Sequence, residues 1–159
     1  MHKSFYIFLL GLMLVSCDKN KIYEQYVDIP EGLWDAESPA VFDVEIADTI
    51  QPLNVLMNFR TAKEYPYQNL YIFLTTVFPD GNIAQDTMEF YFMDNKGKPL
   101  GDCTGQVCNY KFMVMQGIRF PLTGLYTFRV HQAMRTPDNQ LPDMLNVGMR
   151  IEKSTMQRQ

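Results

Sequence analysis

Cys17 is the residue whose surroundings most clearly prescribe a reaction. It follows Leu14, Val15 and Ser16 at the end of an apolar run from Phe5 to Val15, and it precedes Asp18 and a polar, charged stretch. The run counts eleven residues, whereas a membrane-spanning helix needs about twenty. Lys3 supplies the positive start of a secretory leader. The residues before Cys17 lack the small-x-small pattern of ordinary secretory cleavage and resemble a lipobox, whose cysteine is acylated after cleavage in front of it. Residues 1–16 are then a cleaved signal peptide, Cys17 the lipid attachment site, and 17–24 a short tether. The competing reading is an ordinary secreted protein cut near position 17, with that cysteine free or removed. Acylation sets a physical scale: each buried methylene contributes about 0.8 kcal/mol, and two or more chains hold a protein stably on a bilayer.

Cys103 and Cys108 are a separate pair, and Thr104 and Gly105 between them let the chain bend back. An envelope compartment permits disulfides, so a structural bridge is expected, worth about 2 kcal/mol for so short a loop in the chain-entropy model. The alternatives are two free thiols or a redox or metal pair; CxxC spacing is absent and no histidine stands nearby to complete a zinc set.

Residues for catalysis are thin. His2 leaves with the leader, and His131 is the one histidine of the mature chain, beside Val130 on an expected strand. It reads as a surface or half-buried histidine in preference to a catalytic base. Neither a GxSxG elbow nor an HExxH helix occurs. Asp80, Asn82 and Asp86 lack the spacing of a calcium loop and its terminal bidentate glutamate, whereas turn chemistry accounts for Asp80, Gly81 and Asn82. No cofactor or metal is expected, and the chain reads as a non-enzyme.

Aromatic residues offer the one hint of surface recognition. Tyr23, Tyr26 and Trp34 crowd the amino-terminal segment, and Tyr65, Pro66 and Tyr67 sit in an expected loop. Such rings stack on sugars or anchor a protein partner; the alternative is that they pack the segment onto the domain or fill its core. Met113 and Met115 alternate with Phe112 and Val114, so that strand is covered on both faces or exposes one as a contact surface.

Removal of residues 1–16 leaves 143 residues, one ordinary domain over 25–153 with a tail at 154–159. Loss of Lys3 leaves 13 basic against 18 acidic side chains, a balance of −5 that makes nucleic acid a poor partner. Alternation runs through the body: Phe42, Val44 and Ile46 oppose Asp43 and Glu45, and Leu53, Val55, Met57 and Phe59 oppose Asn54, Leu56, Asn58 and Arg60. Residues 70–78, apolar on both faces, run into the turn at Pro79–Asn82. Residues 86–93, 110–115, 124–130 and 145–151 complete seven strands, and 23–29 adds an eighth along an edge. With prolines between or at the ends of the runs, the natural pairing is an all-β antiparallel sandwich, with a jelly roll as one form of it.

The closing third carries a family resemblance. Phe120 and Pro121, the run Gly124–Phe128, Gln132–Arg135 and Leu141–Met144 lead to Asn146, Val147, Gly148, Met149, Arg150, Ile151, Glu152 and Lys153. This pattern, with the lipobox, the mature length and the Asp86 to Phe92 strand, is similar to the gliding-motility lipoprotein H family (GldH) of the Bacteroidetes. The resemblance spans nearly the whole mature chain and brings no catalytic residues. It implies a part in the envelope machinery of gliding motility and, through related lipoproteins, of protein secretion across the outer membrane.

Three functions follow as expectations. The first is a lipid-anchored assembly component that docks on other envelope lipoproteins. The second is a glycan-binding surface lipoprotein, which requires exposed coplanar rings such as Trp34 or Tyr67. The third is an envelope enzyme, which requires a carboxylate or hydroxyl within hydrogen-bond reach of His131 in a pocket. Residues 19–23 hold no acidic cluster of the kind linked to surface export, which favours the outer membrane with the domain facing the periplasm.

Overall fold

The computed structural model describes residues 18–155. The strands are β1 (Lys21–Asp28), β2 (Trp34–Asp35), β3 (Ala40–Ile46), β4 (Leu53–Ala62), β5 (Asn69–Val77) and β6 (Ile83–Tyr91). They continue with β7 (Asp102–Thr104), β8 (Val107–Ile118), β9 (Gly124–Gln132), β10 (Gln140–Leu141) and β11 (Met144–Lys153). All eight expected strands are present, and β1 does lie at a sheet edge. The additional β2, β7 and β10 are two or three residues long, too short to show alternation in a sequence.

One sheet has the order β1-β11-β4-β8-β7 and the other β3-β9-β5-β6, while β10 and β2 form a small ribbon. All pairings between strands are antiparallel. Counting the eight long strands in chain order, the first sheet runs first, eighth, third, sixth and the second runs second, seventh, fourth, fifth. That order is a jelly roll, two Greek keys folded into a double sheet.

The inward faces meet as the alternation requires. β3 buries Ala40, Phe42, Val44 and Ile46 and exposes the residues between them. Phe59, at the middle of the core, has its ring 5.1, 5.6 and 6.2 Å from those of Phe90, Phe92 and Phe112. Tyr126 is fully buried, and its hydroxyl donates to the Leu122 carbonyl at 3.0 Å while accepting from the Leu122 amide at 3.2 Å. This satisfies a buried phenol and pins the turn before β9. Gln132, also buried, donates to the Asn139 carbonyl and accepts from the Met134 amide, tying down the loop that leads to β10. The closing-third residues that carry the resemblance therefore do structural work.

The first strand begins within the segment expected as the tether. Pairing with β11 starts at Lys21, opposite Glu152, so residues 21–24 belong to the sheet and the folded domain begins before residue 25. Lys-Ile-Tyr-Glu carries charges that read as a solvated leash, but an edge strand tolerates charge on its outer face.

Candidate functional site

Arg150 gathers the residues nearest the expected anchor. It projects from the outer face of β11 with its side chain 12% exposed, flanked by Glu24 opposite it on β1. Its Nε donates to Glu152 at 2.6 Å, one terminal nitrogen to Glu24 at 3.2 Å and the other to Asp18. A guanidinium presents its donors in a planar fork and suits such convergence. The bond to Arg150 holds the Asp18 carboxyl below its ordinary 3.8, helped by the Asn20 amide. The same contact raises Arg150. Asp18 is thereby fastened to the sheet one residue after Cys17, which itself lies outside the described residues.

A carboxyl whose pKa is lower when folded contributes stability above its unfolded value and loses it as pH falls through the folded one. In the Arg150→Gln variant, NMR titration should find Asp18 moved back toward 3.8. An unchanged Asp18 titration would show that the clamp does not form in solution.

Cys103 and Cys108 face each other across the β7–β8 hairpin and are joined as a disulfide, Sγ to Sγ 1.96 Å. The hairpin loop is Gly105-Gln106, and Gly105 has φ +60°, a conformation glycine adopts without steric cost. His131 is half-buried, and its Nδ1 lies 3.0 Å from the Ala36 carbonyl oxygen. The residue meets a backbone group there, and it lines neither the groove over Tyr26 and Asn58 nor the one beside Ile46 and Lys153. Among the described residues, the carboxylate or hydroxyl partner that the enzyme reading requires is not in its hydrogen bonds. Asp80 accepts from the amide and side chain of Asn82, an Asx turn. Among the described residues no group of three His, Cys, Asp or Glu is placed to hold a metal ion.

The rings separate into buried and exposed sets. Trp34 is 1% exposed, and its indole donates to the Ser38 carbonyl at 3.0 Å. Tyr65 is buried, donating to the Asn69 carbonyl, and Tyr67 packs edge-on against it. Tyr23 is half-buried against the core. The glycan reading loses Trp34 and the Tyr67 loop as its platform. Exposure falls on Tyr26 and, on the opposite sheet, on Tyr71, Phe73 and Tyr91. Of the methionines on β8, Met113 is exposed and Met115 packs toward the core. The Arg150 cluster escaped the sequence reading because its partners lie up to 132 residues away. The strand at 70–78 did carry a signal for the second patch, since it is apolar on both faces although only one meets the core.

The model of the family described as GldH lipoprotein matches residues 21–151. The chain belongs to the GldH lipoprotein family. It is 31% identical over 157 residues to the gliding motility lipoprotein GldH homolog of Christiangramia forsetii, covering 95% of this chain and 96% of that one. To the gliding motility lipoprotein GldH of Flavobacterium johnsoniae it is 26% identical over 152 residues, covering 92% and 94%. The matched segment begins at Lys21, the first residue of β1, and ends at Ile151 within β11, so it reaches every strand of the double sheet. Among solved structures, the coat protein of Tobacco streak virus aligns over 86% of this chain and 90% of its own at 11% identity, with a TM-score of 0.29. That score is too low to bear on the fold, which rests on strand order.

Proposed function

We propose that this GldH-family protein is a non-enzymatic, lipid-anchored assembly component of the cell envelope. Cleavage after residue 16 and acylation of Cys17 hold it at the outer membrane, facing the periplasm, where it docks on other envelope lipoproteins of the motility or secretion machinery. Family membership and the leader support the anchor.

The observation that carries docking is the outer face of β5 and β6. Tyr71, Phe73 and Tyr91 are 38, 39 and 56% exposed there. Tyr71 stands opposite Glu89, and Tyr91 is two residues further along the same face of β6. The Glu89 carboxylate on the same face pushes both phenols above their ordinary 10. Rings oriented in this way, at neighbouring positions of a rigid sheet, are the side chains that anchor protein interfaces.

Affinity purification from detergent-solubilised membranes tests the reading. Wild-type protein should recover at least one further envelope lipoprotein, and Phe73→Asp, with thermal unfolding unchanged, should lose it. Recovery of none by wild type, under conditions where known assemblies survive, would sink the docking role.

A further inference from the structure

The outer face of the β1-β11-β4-β8-β7 sheet carries a groove of about 660 Å³ that the docking surface does not use. Two consecutive cross-strand rows form its floor. The first runs Tyr26, Gly148, Asn58, Lys111. The second runs Asp28, Asn146, Arg60, Asn109, Asp102. Because side chains two apart on a strand share a face, every one of these rises from the same surface.

Tyr26 opens the first row from the edge strand. A Cβ placed on Gly148 would lie 2.5 Å from Tyr26 Cε1, so the ring crosses the sheet in the space that glycine leaves open. Its hydroxyl accepts from Asn58 Nδ2 at 3.1 Å. The ring is thus held at both ends of its length, yet the residue is 51% exposed. Leu100, 61% exposed, stands on the rim. Gly101 lets that rim close in, since a Cβ there would lie 2.3 Å from the Asn109 carbonyl oxygen.

Polar groups surround the ring. Asn146 donates to Asp28, and Arg60 Nε donates to Asn109 at 3.1 Å. Those bonds fix the side chains while leaving the Arg60 terminal nitrogens and the Lys111 ammonium without side-chain partners among the described residues. The lining carries two carboxylates, Asp28 and Asp102, against two cations, Arg60 and Lys111. Its charge therefore balances, which suits neither a polyanion nor a polycation.

We propose that this groove binds an uncharged oligosaccharide, with a sugar ring lying on Tyr26. A pyranose has an apolar face for an aromatic ring and hydroxyls that both donate and accept, as the amides of Asn109 and Asn146 do. The volume falls in the range of small-ligand sites, about 300–1,000 Å³. An extended peptide adding as a strand would pair along the outer edge of β1, whereas this groove lies across the face of the sheet, over β11, β4 and β8.

The test uses the full-length lipoprotein in detergent micelles and saturation-transfer NMR with cellotetraose and N-acetylchitotetraose, each at millimolar concentration. At least one should receive saturation from the protein. Its affinity should fall about tenfold in Tyr26→Ala, the loss expected when a stacking ring is removed, and stay within about threefold in Tyr26→Phe. Lys111→Ala, at an exposed position without an ion pair, should weaken binding severalfold without touching the fold. Transfer to neither sugar overturns the proposal, as does transfer that is equal in wild type and Tyr26→Ala. Transfer confined to an acidic oligogalacturonate or to an extended peptide also overturns it, because it assigns the groove to a different ligand.

Discussion

Replacing Phe59 by alanine is expected to lower stability by about 4 kcal/mol, the usual cost of truncating a buried aromatic and leaving a cavity. Phe59 is 1% exposed and touches rings from both sheets: Phe90 and Phe92 on one side of the sandwich, Phe112 on its own. Phe92 in turn stacks on Tyr110 at 4.3 Å and packs on Tyr65, so the vacancy opens at the junction of one aromatic network. Rings held by neighbours on all sides cannot collapse into the gap, which places the cost toward the upper part of the range. For a domain of this size the loss corresponds to a melting point lower by on the order of 10 °C. Thermal denaturation followed by near-UV circular dichroism gives the readout. A shift of only a degree or two would mean that the two sheets do not pack around Phe59 as described.

The second large effect is on location. Cys17→Ser should abolish labelling by an alkyne-palmitate analogue and move the protein out of the membrane fraction, while the β domain stays folded. The uncleaved leader does not replace the anchor: its apolar run is eleven residues, where a span takes about twenty. Folding is untouched because pairing begins at Lys21 and every core residue lies beyond it. Thermal unfolding of the variant should therefore match wild type. Persistent labelling would refute acylation at Cys17, and continued membrane retention without label would point to a different attachment.

The strands were legible because one-sided burial imposes a period of two, and β3 shows how directly: Phe42, Val44 and Ile46 are inside while Asp43 and Glu45 are outside. The jelly-roll order was one option among sandwiches, because pairings such as β1 with β11 join residues more than a hundred positions apart. Tyr23 and Tyr26 illustrate what local pattern leaves open. They are three apart on one strand, so one ring packs toward the core and the other stands over Gly148, and nothing local says which. Trp34 looked available for a ligand, yet a two-residue strand pairs it with Leu141 and buries it. Arg150 was visible as an outward residue of the closing strand, but the three carboxylates it collects come together only after the first and last strands have met.

The pairing of β1 with β11 also has a mechanical meaning. With an acyl group on Cys17, any force between bilayer and domain enters at the start of β1 and passes into β11 through seven registered residue pairs. Traction along the strand axis loads that ladder in shear, so the pairs resist together. Sideways drag peels β1 from Lys21 onward, one pair at a time. The Arg150 clamp on Asp18 and Glu24 sits at the end where peeling begins. A lipoprotein built this way tolerates a straight pull better than a lateral one, and the weakest direction is guarded by the Arg150 guanidinium together with the backbone bond from the Lys153 amide to the Asn20 carbonyl.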